Sequence, residues 1–400
     1  MTSSKRIFLS ADAAICCAGK TWDGTLQQAL CNPEYKTNFQ PCNLGESTYP
    51  VAIIPDSYLS SSFQGNRIEN IITQVLKQIK NSVAECIQKY GAKRVGICIG
   101  SCDNGSEDSL AAHKIYFETQ AFPAGYSLHQ QSPAQVAAFI KEYLGLEGPA
   151  ISVATACASS TTAVIEAAQI IGANFCDAMV VVGVDIVSPT VFLGFNALEA
   201  VSPTDCNPFS KNRNGITLGE AVAAVILTKE KPETDEYVEL LGFGESADAN
   251  HMTAPLESGD GAVAAMEKAL AMAAVDKSKI SYINLHGTGT SLNDAMESKA
   301  VAKVFCEAAT IGGSIKVSST KAITGHTLGA AGCLELSICM RTCYDKQLKN
   351  LPIHRWDGER DEELPQLHFV QVGDTKSSSY CMTNSFAFGG CNTSLVIGRE

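Results

Sequence analysis

The sequence predicts an α/β protein, because short apolar runs alternate along the chain with longer amphipathic stretches. Several apolar runs are unbroken stretches of Val, Ile and Ala, as in AMVVVGVDI and AVAAVILT, which is typical of strands buried on both faces of a sheet. The chain has 400 residues, of which 45% are hydrophobic and 18% charged, so it can bury a large core. These observations favour sheets covered by helices and exclude a disordered or fibrous chain.

The predicted elements follow one another in a regular order. We predict strands over residues 94–99, 150–155, 178–186, 221–228, 237–243, 280–285, 314–318 and 394–397. We predict helices over residues 68–89, 159–171, 262–274 and 295–305. Each half of the chain has a strand and later a strand–turn–helix unit rich in small residues, which suggests a duplication. A charged, proline-containing stretch over residues 228–236 separates them, so we predict halves at residues 1–234 and 235–400.

Composition and charge exclude several classes of function. The formal net charge is −12, which works against nonspecific binding of nucleic acid. The 16 cysteines contain no CxxC pair, so the commonest zinc signatures are missing and no metal site is predicted. The opening MTSSKRIFLS has no signal-peptide core, and no apolar run reaches the roughly 18 residues of a membrane span. We therefore expect a cytoplasmic protein with free thiols, without a membrane span.

Cys157 is the first candidate for chemistry. It follows a predicted strand and opens a predicted helix whose next residues, Ala158, Ser159 and Ser160, are small. The positive end of a helix dipole and its unpaired N–H groups favour a thiolate, which is the nucleophilic form. The same N–H groups can stabilise a negative oxygen on an attacked carbonyl. The alternative is an ordinary thiol packed in the core.

A loop that contains a histidine is the second candidate. His286 ends a predicted strand and is followed by Gly-Thr-Gly-Thr, so the backbone can approach a ligand closely. The hydroxyls of Thr288 and Thr290 could bind a polar ligand chain. The alternative is a tight turn whose Thr side chains satisfy its own backbone.

A second histidine lies in a glycine-rich segment further along the chain. Gly325 precedes His326 and small residues follow it, so a helix can pack closely while the imidazole points into a cavity. Lys321 and Glu335 could pair across the start of this helix and set the electrostatics of the site. The alternative for that pair is a surface salt bridge of little energetic value.

The last candidate is the segment NSFAFGGCN before the final strand. Phe386 and Phe388 in a Gly-rich turn could gate an apolar tunnel, and the turn could present backbone N–H donors. The alternative is a hydrophobic turn that closes the sheet. Together, one Cys, two His, one Lys and this turn suit chemistry in which a thiolate holds an acyl thioester and two neutral imidazoles stabilise an enolate.

These four segments, in this order, resemble the beta-ketoacyl-[acyl carrier protein] synthases of the thiolase-like superfamily. The resemblance covers the chain from about Val95 to the C-terminus. It implies a five-layered αβαβα fold of two similar halves and a Cys-His-His site that needs no cofactor. It also implies a dimer and, as a partner, an acyl carrier protein that bears phosphopantetheine.

The resemblance assigns roles to the reactive side chains. Cys157 matches the acylated nucleophile, and His286 and His326 match the histidines that act on the malonyl unit. Lys321 and Glu335 match the supporting ion pair. Decarboxylation of the malonyl unit would then drive the condensation that lengthens the chain by two carbons.

The resemblance also assigns the binding residues. Thr288 and Thr290 match contacts to phosphopantetheine, and the backbone N–H groups of Cys157 and Phe388 match the oxyanion hole. The segment from Phe386 to Phe388 matches the gating loop.

Several positions depart from the family pattern. Ala387 stands where relatives often have glycine, which should stiffen the gating loop and alter the control of chain length. Arg213-Asn214 replaces the common Arg-Asp pair, and Glu199 lies where many relatives carry a basic residue for the acidic carrier. Arg67 could take over the contact with the carrier, or it is an ordinary surface charge.

The opening segment RIFLSADAAICCAGKTW lacks the glycine-rich strand and turn of housekeeping relatives. We therefore expect a specialised synthase of a secondary or polyene lipid pathway, as a homodimer or paired with a related chain-length-factor subunit. Three alternatives stay open. A CoA-dependent thiolase would not normally have the histidine of the HGTGT loop, and a non-catalytic chain-length factor usually loses its cysteine. An initiating synthase usually replaces the second histidine by asparagine.

Overall fold

The computed structural model describes residues 6–103, 105–305, 315–344 and 350–399. Its strands are β1 (Phe8–Cys16), β2 (Gly19–Lys20), β3 (Gln40–Leu44), β4 (Ser47–Val51), β5 (Val95–Gly100), β6 (Ala150–Val153), β7 (Ala178–Asp185), β8 (Ala221–Thr228), β9 (Tyr237–Ala247), β10 (Tyr282–Asn284), β11 (Lys316–Ser318), β12 (His368–Phe369), β13 (Tyr380–Phe386) and β14 (Cys391–Gly398). Its α-helices are α1 (Thr25–Cys31), α2 (Arg67–Tyr90), α3 (Ser106–Thr119), α4 (Pro133–Leu144), α5 (Ser159–Gly172), α6 (Pro189–Ala197), α7 (Asp260–Ala273), α8 (Ser291–Phe305), α9 (Lys321–Thr324) and α10 (Ala331–Tyr344).

The strand order repeats between the two halves of the chain. In the first half the order is β6-β5-β7-β8-β1, with β5 parallel to β6 and β7, and with β8 antiparallel to β7 and β1. In the second half the order is β11-β10-β13-β14-β9, with β10 parallel to β11 and β13, and with β14 antiparallel to β13 and β9. The two half-sheets are joined where β1 pairs antiparallel with β9.

The helices and half-sheets form five layers, which pack through three large apolar cores. On one outer face, α2 and α4 cover the first half-sheet, and Val75 packs in one cluster with Val180. In the centre, α5 and α10 lie between the half-sheets, where Val164 and Leu334 share a core with residues of both. On the other outer face, α7 and α8 cover the second half-sheet around Met266. This is the αβαβα arrangement that the resemblance implies.

Tight packing at the centre depends on small residues. Gly332 in the first turn of α10 faces Thr161 of α5, and a Cβ atom at Gly332 would lie 2.0 Å from the Thr161 hydroxyl. The Gly-Ala-Ala-Gly sequence therefore permits α10 to cross α5 closely. This contact fixes the starts of the two helices relative to each other.

The predicted elements agree with the observed ones except at their ends. All eight predicted strands overlap strands of the structure, and all four predicted helices overlap helices. Ser314, at the start of one predicted strand, lies outside the described residues. The N-terminal segment also forms a strand, β1, which was not among the predicted strands. The boundary at residue 234 stays a prediction and falls between β8 and β9.

We also searched the described residues for a helix able to cross a membrane. None is both long enough and apolar enough. The formal net charge is −12, and the sequence has sixteen cysteines. The structure describes fifteen of these cysteines, and all fifteen are free thiols.

Candidate active site

A sharp turn after β6 presents Cys157. Ala156 has a left-handed backbone with φ of 48°, which is unusual for a residue with a Cβ atom, and α5 begins two residues after Cys157 at Ser159. The Ser159 hydroxyl accepts a hydrogen bond from the Thr155 N–H at 2.9 Å and donates one to the Ala156 carbonyl at 2.6 Å. The strained turn is thus tied down by side-chain hydrogen bonds, and it directs Cys157 towards the second half.

Two carboxylates of α8 hold the loop that carries His286. Glu297 accepts hydrogen bonds from the backbone N–H groups of His286 at 2.8 Å and Gly287 at 2.7 Å. Asp294 accepts one from the Thr288 N–H at 3.0 Å. Both carboxyl groups are buried, so hydrogen bonds shielded from water fix the loop.

The segment after β11 positions a lysine and the second histidine. Lys321 begins the short helix α9, and its ammonium group lies 2.5 Å from a carboxylate oxygen of Glu335 on α10. Both side chains are buried, so this is an internal ion pair and not a surface one. His326 follows α9, and its backbone N–H donates to the Thr217 carbonyl at 2.7 Å.

Cys157, His286 and His326 come together from the two halves. The Cys157 sulfur lies 3.1 Å from Nε2 of His326. This sulfur and one ring nitrogen of each histidine, the atoms that could hold a metal ion, lie within 4.8 Å of one another. The two imidazole rings are 5.3 Å apart and nearly perpendicular. The Lys321 ammonium lies 3.5 Å from Nδ1 of His286, and this positive charge opposes the binding of a metal cation by the three donors.

The contacts assign the ring protons of the two histidines. An ammonium group can only donate, so Nδ1 of His286 accepts from Lys321 and the ring N–H is on Nε2. In His326, Nε2 faces the sulfur of Cys157, and Nδ1 has no hydrogen-bond partner within the described residues. Placing the N–H of His326 on Nε2 avoids a buried donor without an acceptor. Both rings then direct an N–H group into the same space.

Burial governs the protonation of these groups. It lowers the pKa of His286 and of His326 well below the usual value of 6.5, and the nearby Lys321 ammonium lowers both further, so both rings are neutral. Burial raises the pKa of the Cys157 thiol to about 12, although Lys321 and the backbone N–H groups of Phe388 and Cys157 oppose this. Desolvation therefore outweighs the groups that favour the thiolate, namely Lys321 and the backbone N–H groups.

A cleft of about 340 Å³, which we call the active-site cleft, opens onto these residues. Cys157, His286 and His326 line it, and so do Thr288 and Thr290. The hydroxyl oxygens of the two threonines lie 3.0 Å apart. The structure therefore brings the predicted threonines to the same cavity as the three reactive side chains.

The phenylalanine turn closes one side of the active-site cleft. Phe386 and Phe388 both line it, and the ring of Phe388 stacks on Phe195 with centroids 5.7 Å apart. Ala387 has an extended backbone with φ of −109°, which any residue can adopt, and its N–H donates to the Cys391 carbonyl at 2.8 Å. The turn is thus held by its own backbone as well as by the ring stack.

Two family models match this chain. The model described as "Beta-ketoacyl synthase, N-terminal domain" matches residues 75–233, and "Beta-ketoacyl synthase, C-terminal domain" matches residues 237–351. A 3-oxoacyl-[acyl-carrier-protein] synthase 2 of Vibrio cholerae is 33% identical over 325 residues, which is 78% of each chain. The chain belongs to the beta-ketoacyl synthase family. A synthase of the same name from Staphylococcus aureus is 32% identical over 323 residues, 78% of each chain.

Solved structures of synthases superpose on the whole chain. The ketosynthase ApeO, solved in complex with its chain length factor ApeC from Xenorhabdus doucetiae, is 34% identical, with a TM-score of 0.87 over 99% of this chain and 98% of that one. A beta-ketoacyl synthase from Burkholderia phymatum is 25% identical, with a TM-score of 0.84 over 99% of this chain and 100% of that one. The synthase described here therefore has the thiolase-like fold, and it is an acyltransferase that forms carbon–carbon bonds.

The departures from the family pattern have structural consequences in this synthase. The guanidinium of Arg213 lies 2.5 Å from the Asp361 carboxylate, and the Asn214 side chain accepts a hydrogen bond from the Ser202 hydroxyl at 2.6 Å. Arg213 and Asn214 both line the active-site cleft. The Arg-Asn sequence thus contributes to the cleft wall, with its ionic partner supplied by a distant segment.

The two predicted docking residues differ in exposure. Glu199 is exposed at the rim of the active-site cleft. Arg67 donates hydrogen bonds at 2.8 Å to the buried carboxylate of Glu220 and to the Ile54 carbonyl. Arg67 therefore already pairs with an internal carboxylate, and its contact with the carrier protein stays a prediction.

Sequence reasoning missed several buried carboxylates around the synthase site. Asp294 and Glu297 lie three residues apart just after the HGTGT loop. Two acidic residues at this spacing, at the start of a helix beside a Gly-rich loop, could have indicated that they bind the backbone of the loop. Asp185, at the end of β7, accepts hydrogen bonds from the backbone N–H groups of Cys102 and Gly329 at 3.0 and 2.6 Å. Nothing local in the sequence points to Asp185, because its partners come from two distant segments, residues 101–103 and Gly329.

Proposed function

We propose that this synthase extends an acyl chain by two carbons, in a decarboxylative condensation of malonyl-carrier protein with an acyl group held on Cys157. The observation that carries the proposal is the convergence of Cys157, His286 and His326 within 4.8 Å in one cleft, with Lys321 at 3.5 Å from His286. A nucleophile, two neutral hydrogen-bond donors and a fixed cation are the groups this reaction requires.

The first step loads the acyl group. The Cys157 sulfur attacks the carbonyl carbon of an acyl thioester on the carrier protein, the new C–S bond forms, and the old one breaks. The proton that Cys157 loses passes to the departing pantetheine sulfur. The Lys321 charge and the backbone N–H groups of Cys157 and Phe388, which act on the sulfur of Cys157, stabilise its negative charge as it develops.

The second step forms the carbon–carbon bond. The malonyl carboxylate leaves as carbon dioxide, and its electron pair makes an enolate whose oxygen accepts hydrogen bonds from Nε2 of His286 and His326. The enolate carbon attacks the Cys157 thioester, whose carbonyl oxygen accepts hydrogen bonds from the N–H groups of Cys157 and Phe388. The C–S bond then breaks, and the Cys157 sulfur takes up a proton. No cofactor is needed, since decarboxylation supplies the driving force.

The cleft suits a carrier-bound substrate. We propose that the hydroxyls of Thr288 and Thr290 bind the amide groups of phosphopantetheine, because they line the same cleft as His286 and lie side by side, 3.0 Å apart. Phe386 and Phe388 would gate the acyl chain, with Glu335 holding Lys321 in place behind His286.

Intact mass spectrometry tests the proposal. Wild-type protein incubated with acyl-carrier protein should gain the acyl mass on Cys157 and, after malonyl-carrier protein is added, release a product two carbons longer. Cys157→Ala should do neither, whereas Cys86→Ala, which removes a half-buried thiol on α2, should do both. His326→Ala should be acylated but should not condense. If Cys157 stays unmodified with every acyl donor and with a co-purified paralogue, the proposal is wrong.

We further propose that the synthase belongs to a specialised polyene or polyketide pathway and works in the cytoplasm with a chain-length-factor-like subunit. ApeO, which is 34% identical, was solved with such a partner. The exposed Glu199 at the cleft rim also points away from docking of an acidic carrier by this chain alone. Full activity of the purified chain as a homodimer would contradict the need for a partner.

A further inference from the structure

A second cleft, of about 500 Å³, lies on the other side of the segment that contains Arg213. It is lined by residues of four regions: Phe209, Ser298 of α8, Lys316 of β11, and the segment from Ile353 to Val372, which includes β12. None of the residues lining it also lines the active-site cleft. The volume falls within the roughly 300–1,000 Å³ typical of sites for small molecules.

Four aromatic rings form a prebuilt wall of the second cleft. The rings of His354 and Phe369 are stacked with centroids 4.1 Å apart, and those of Trp356 and Phe209 lie 5.1 and 5.4 Å from Phe369. Both ring nitrogens of the buried His354 are engaged, Nδ1 by the Ser319 N–H and Nε2 by the carbonyl of Pro208. The wall is therefore fixed before any ligand arrives, and it offers an aromatic surface on which a flat group can stack.

The charged groups of the second cleft favour an anion. Lys316 and Arg360 both line it. Lys316 already pairs with Asp374 at 2.9 Å, whereas the Arg360 side chain is 43% exposed and lies 3.8 Å from the carboxylate of Glu362. Asp361 is the one carboxylate among the lining residues, and Arg213 already neutralises it at 2.5 Å. A guanidinium group close to aromatic rings can bind the carboxylate of a flat molecule that stacks on those rings.

We propose that the second cleft binds an organic anion with a flat apolar body, of the class of aromatic or conjugated carboxylates. The body lies against Trp356 and Phe369, and the carboxylate meets Arg360. This site is separate from the condensation chemistry, so it does not depend on the proposed function.

The wall between the two clefts connects them physically. The segment around Asp357 is attached to the segment around Ser210 by hydrogen bonds from the Ser210 hydroxyl at 2.9 Å and the Asn212 amide at 2.8 Å. Asp361 faces the second cleft and Arg213 faces the active-site cleft, and these two side chains form one ion pair. An occupant of the second cleft would thus contact the same wall that borders the active-site cleft.

Fluorine NMR provides the test, because the sequence has two tryptophans, Trp22 and Trp356. The full chain is labelled with 5-fluorotryptophan, Trp22→Phe assigns the two signals, and naphthalene-2-carboxylate is the probe. The Trp356 signal should shift saturably while the Trp22 signal stays in place. Naphthalene-2-methanol, which has the same rings without the charge, should bind at least tenfold more weakly.

Matched variants decide whether the geometry is right. Arg360→Gln should weaken binding of naphthalene-2-carboxylate about tenfold, whereas Arg6→Gln, which removes an exposed arginine that pairs with Glu239, should leave it unchanged. Cys157→Ala should bind as the wild type does, so that failure of the catalytic proposal would not affect this result. The proposal is overturned if the Trp356 signal does not move at millimolar probe, if Trp22 moves equally, or if the uncharged probe binds equally well.

Discussion

At the scale of single residues, the protonation of Cys157 determines how the site reacts. Because burial raises the pKa of this thiol to about 12, the thiolate fraction at neutral pH is small and grows as pH rises. We expect the rate of alkylation of Cys157 by iodoacetamide to increase about tenfold for each pH unit between pH 7 and 10. The mass of the Cys157 peptide measures the rate.

A variant tests the electrostatic part of this argument. Lys321 lowers the pKa of Cys157, so Lys321→Met should slow alkylation at any fixed pH in that range. A rate for the wild type that levels off below pH 9 would contradict the assignment of a neutral resting thiol. Cys86 in the same protein serves as the internal reference, since its thiol has no contact with Lys321.

The ion pair between Lys321 and Glu335 gives a prediction about stability. Both side chains are buried, so Lys321→Met alone should lower the free energy of unfolding by about 3–5 kcal/mol, because it leaves the carboxylate without its partner. Lys321→Met combined with Glu335→Leu should recover most of that loss while the condensation activity stays absent. Urea denaturation and product formation measure the two effects. Recovery of activity in the double variant would show that the pair serves packing alone.

The reactive residues and the neutral state of the two histidines could be predicted from the sequence, but the protonation of Cys157 could not. Cys157, His286 and His326 each stand in a strand-end segment of recognisable composition, which marks them locally. The pKa of Cys157 depends instead on how completely the second half covers it, and that is a property of the packed molecule. The same reason explains why the partner of Arg67 could not be predicted: Glu220 is more than a hundred residues away.

At the scale of elements, α8 fixes the loop that carries His286, and its Glu297 makes stability depend on pH. Burial raises the pKa of this carboxyl from 4.5 to about 8 in the folded protein, so the folded state binds the proton more tightly than the unfolded chain does. The contribution of Glu297 to stability therefore falls as pH rises from about 4.5 to 8, by at most about 1.4 kcal/mol per pH unit.

Comparison of Glu297→Gln with the wild type isolates this effect. The wild type should lose stability relative to the variant as pH rises through that window, and chemical denaturation at several pH values measures the difference. Glu257→Gln, at an exposed position that pairs with Lys299, is the control and should leave the pH dependence unchanged. A difference between wild type and Glu297→Gln that does not vary with pH would refute the argument.

Strands with an unbroken apolar run were predictable from the sequence, whereas strands with an irregular hydrophobic pattern were not. The unbroken apolar runs of β7 and β8 identify those strands directly. In β1 the register of pairing with β8 shifts between Ser10 and Ala13, so a bulge interrupts the alternation, and the buried Asp12 adds a polar residue in the middle. No local pattern therefore marks β1 as a strand.

At the scale of the whole molecule, the repeated strand order explains why one site uses both halves. Cys157 lies shortly after β6, and His326 lies shortly after β11 and the short helix α9. In the second half-sheet β11 holds the place that β6 holds in the first. The helices α5 and α10 begin beside these two residues and pack against each other in the central layer. The repeated strand order therefore brings two equivalent strand ends together, and one half supplies a nucleophile while the other supplies a hydrogen-bond donor.

The two halves differ at their outer edges, and this difference predicts an assembly. In the second half β12 covers the edge of β11, whereas within the described residues no strand pairs with the outer edge of β6. The sequence of β6, Ala-Ile-Ser-Val, has no charge or proline that would block pairing with another chain. We expect β6 to pair with a second copy or with a related subunit, so that the purified protein has the mass of a dimer.

Ala150, which is exposed at this edge, gives the test: Ala150→Lys should yield monomers in analytical ultracentrifugation, and Ala150→Ser should not. A monomeric wild type, or a lysine variant that stays dimeric, would place the interface elsewhere.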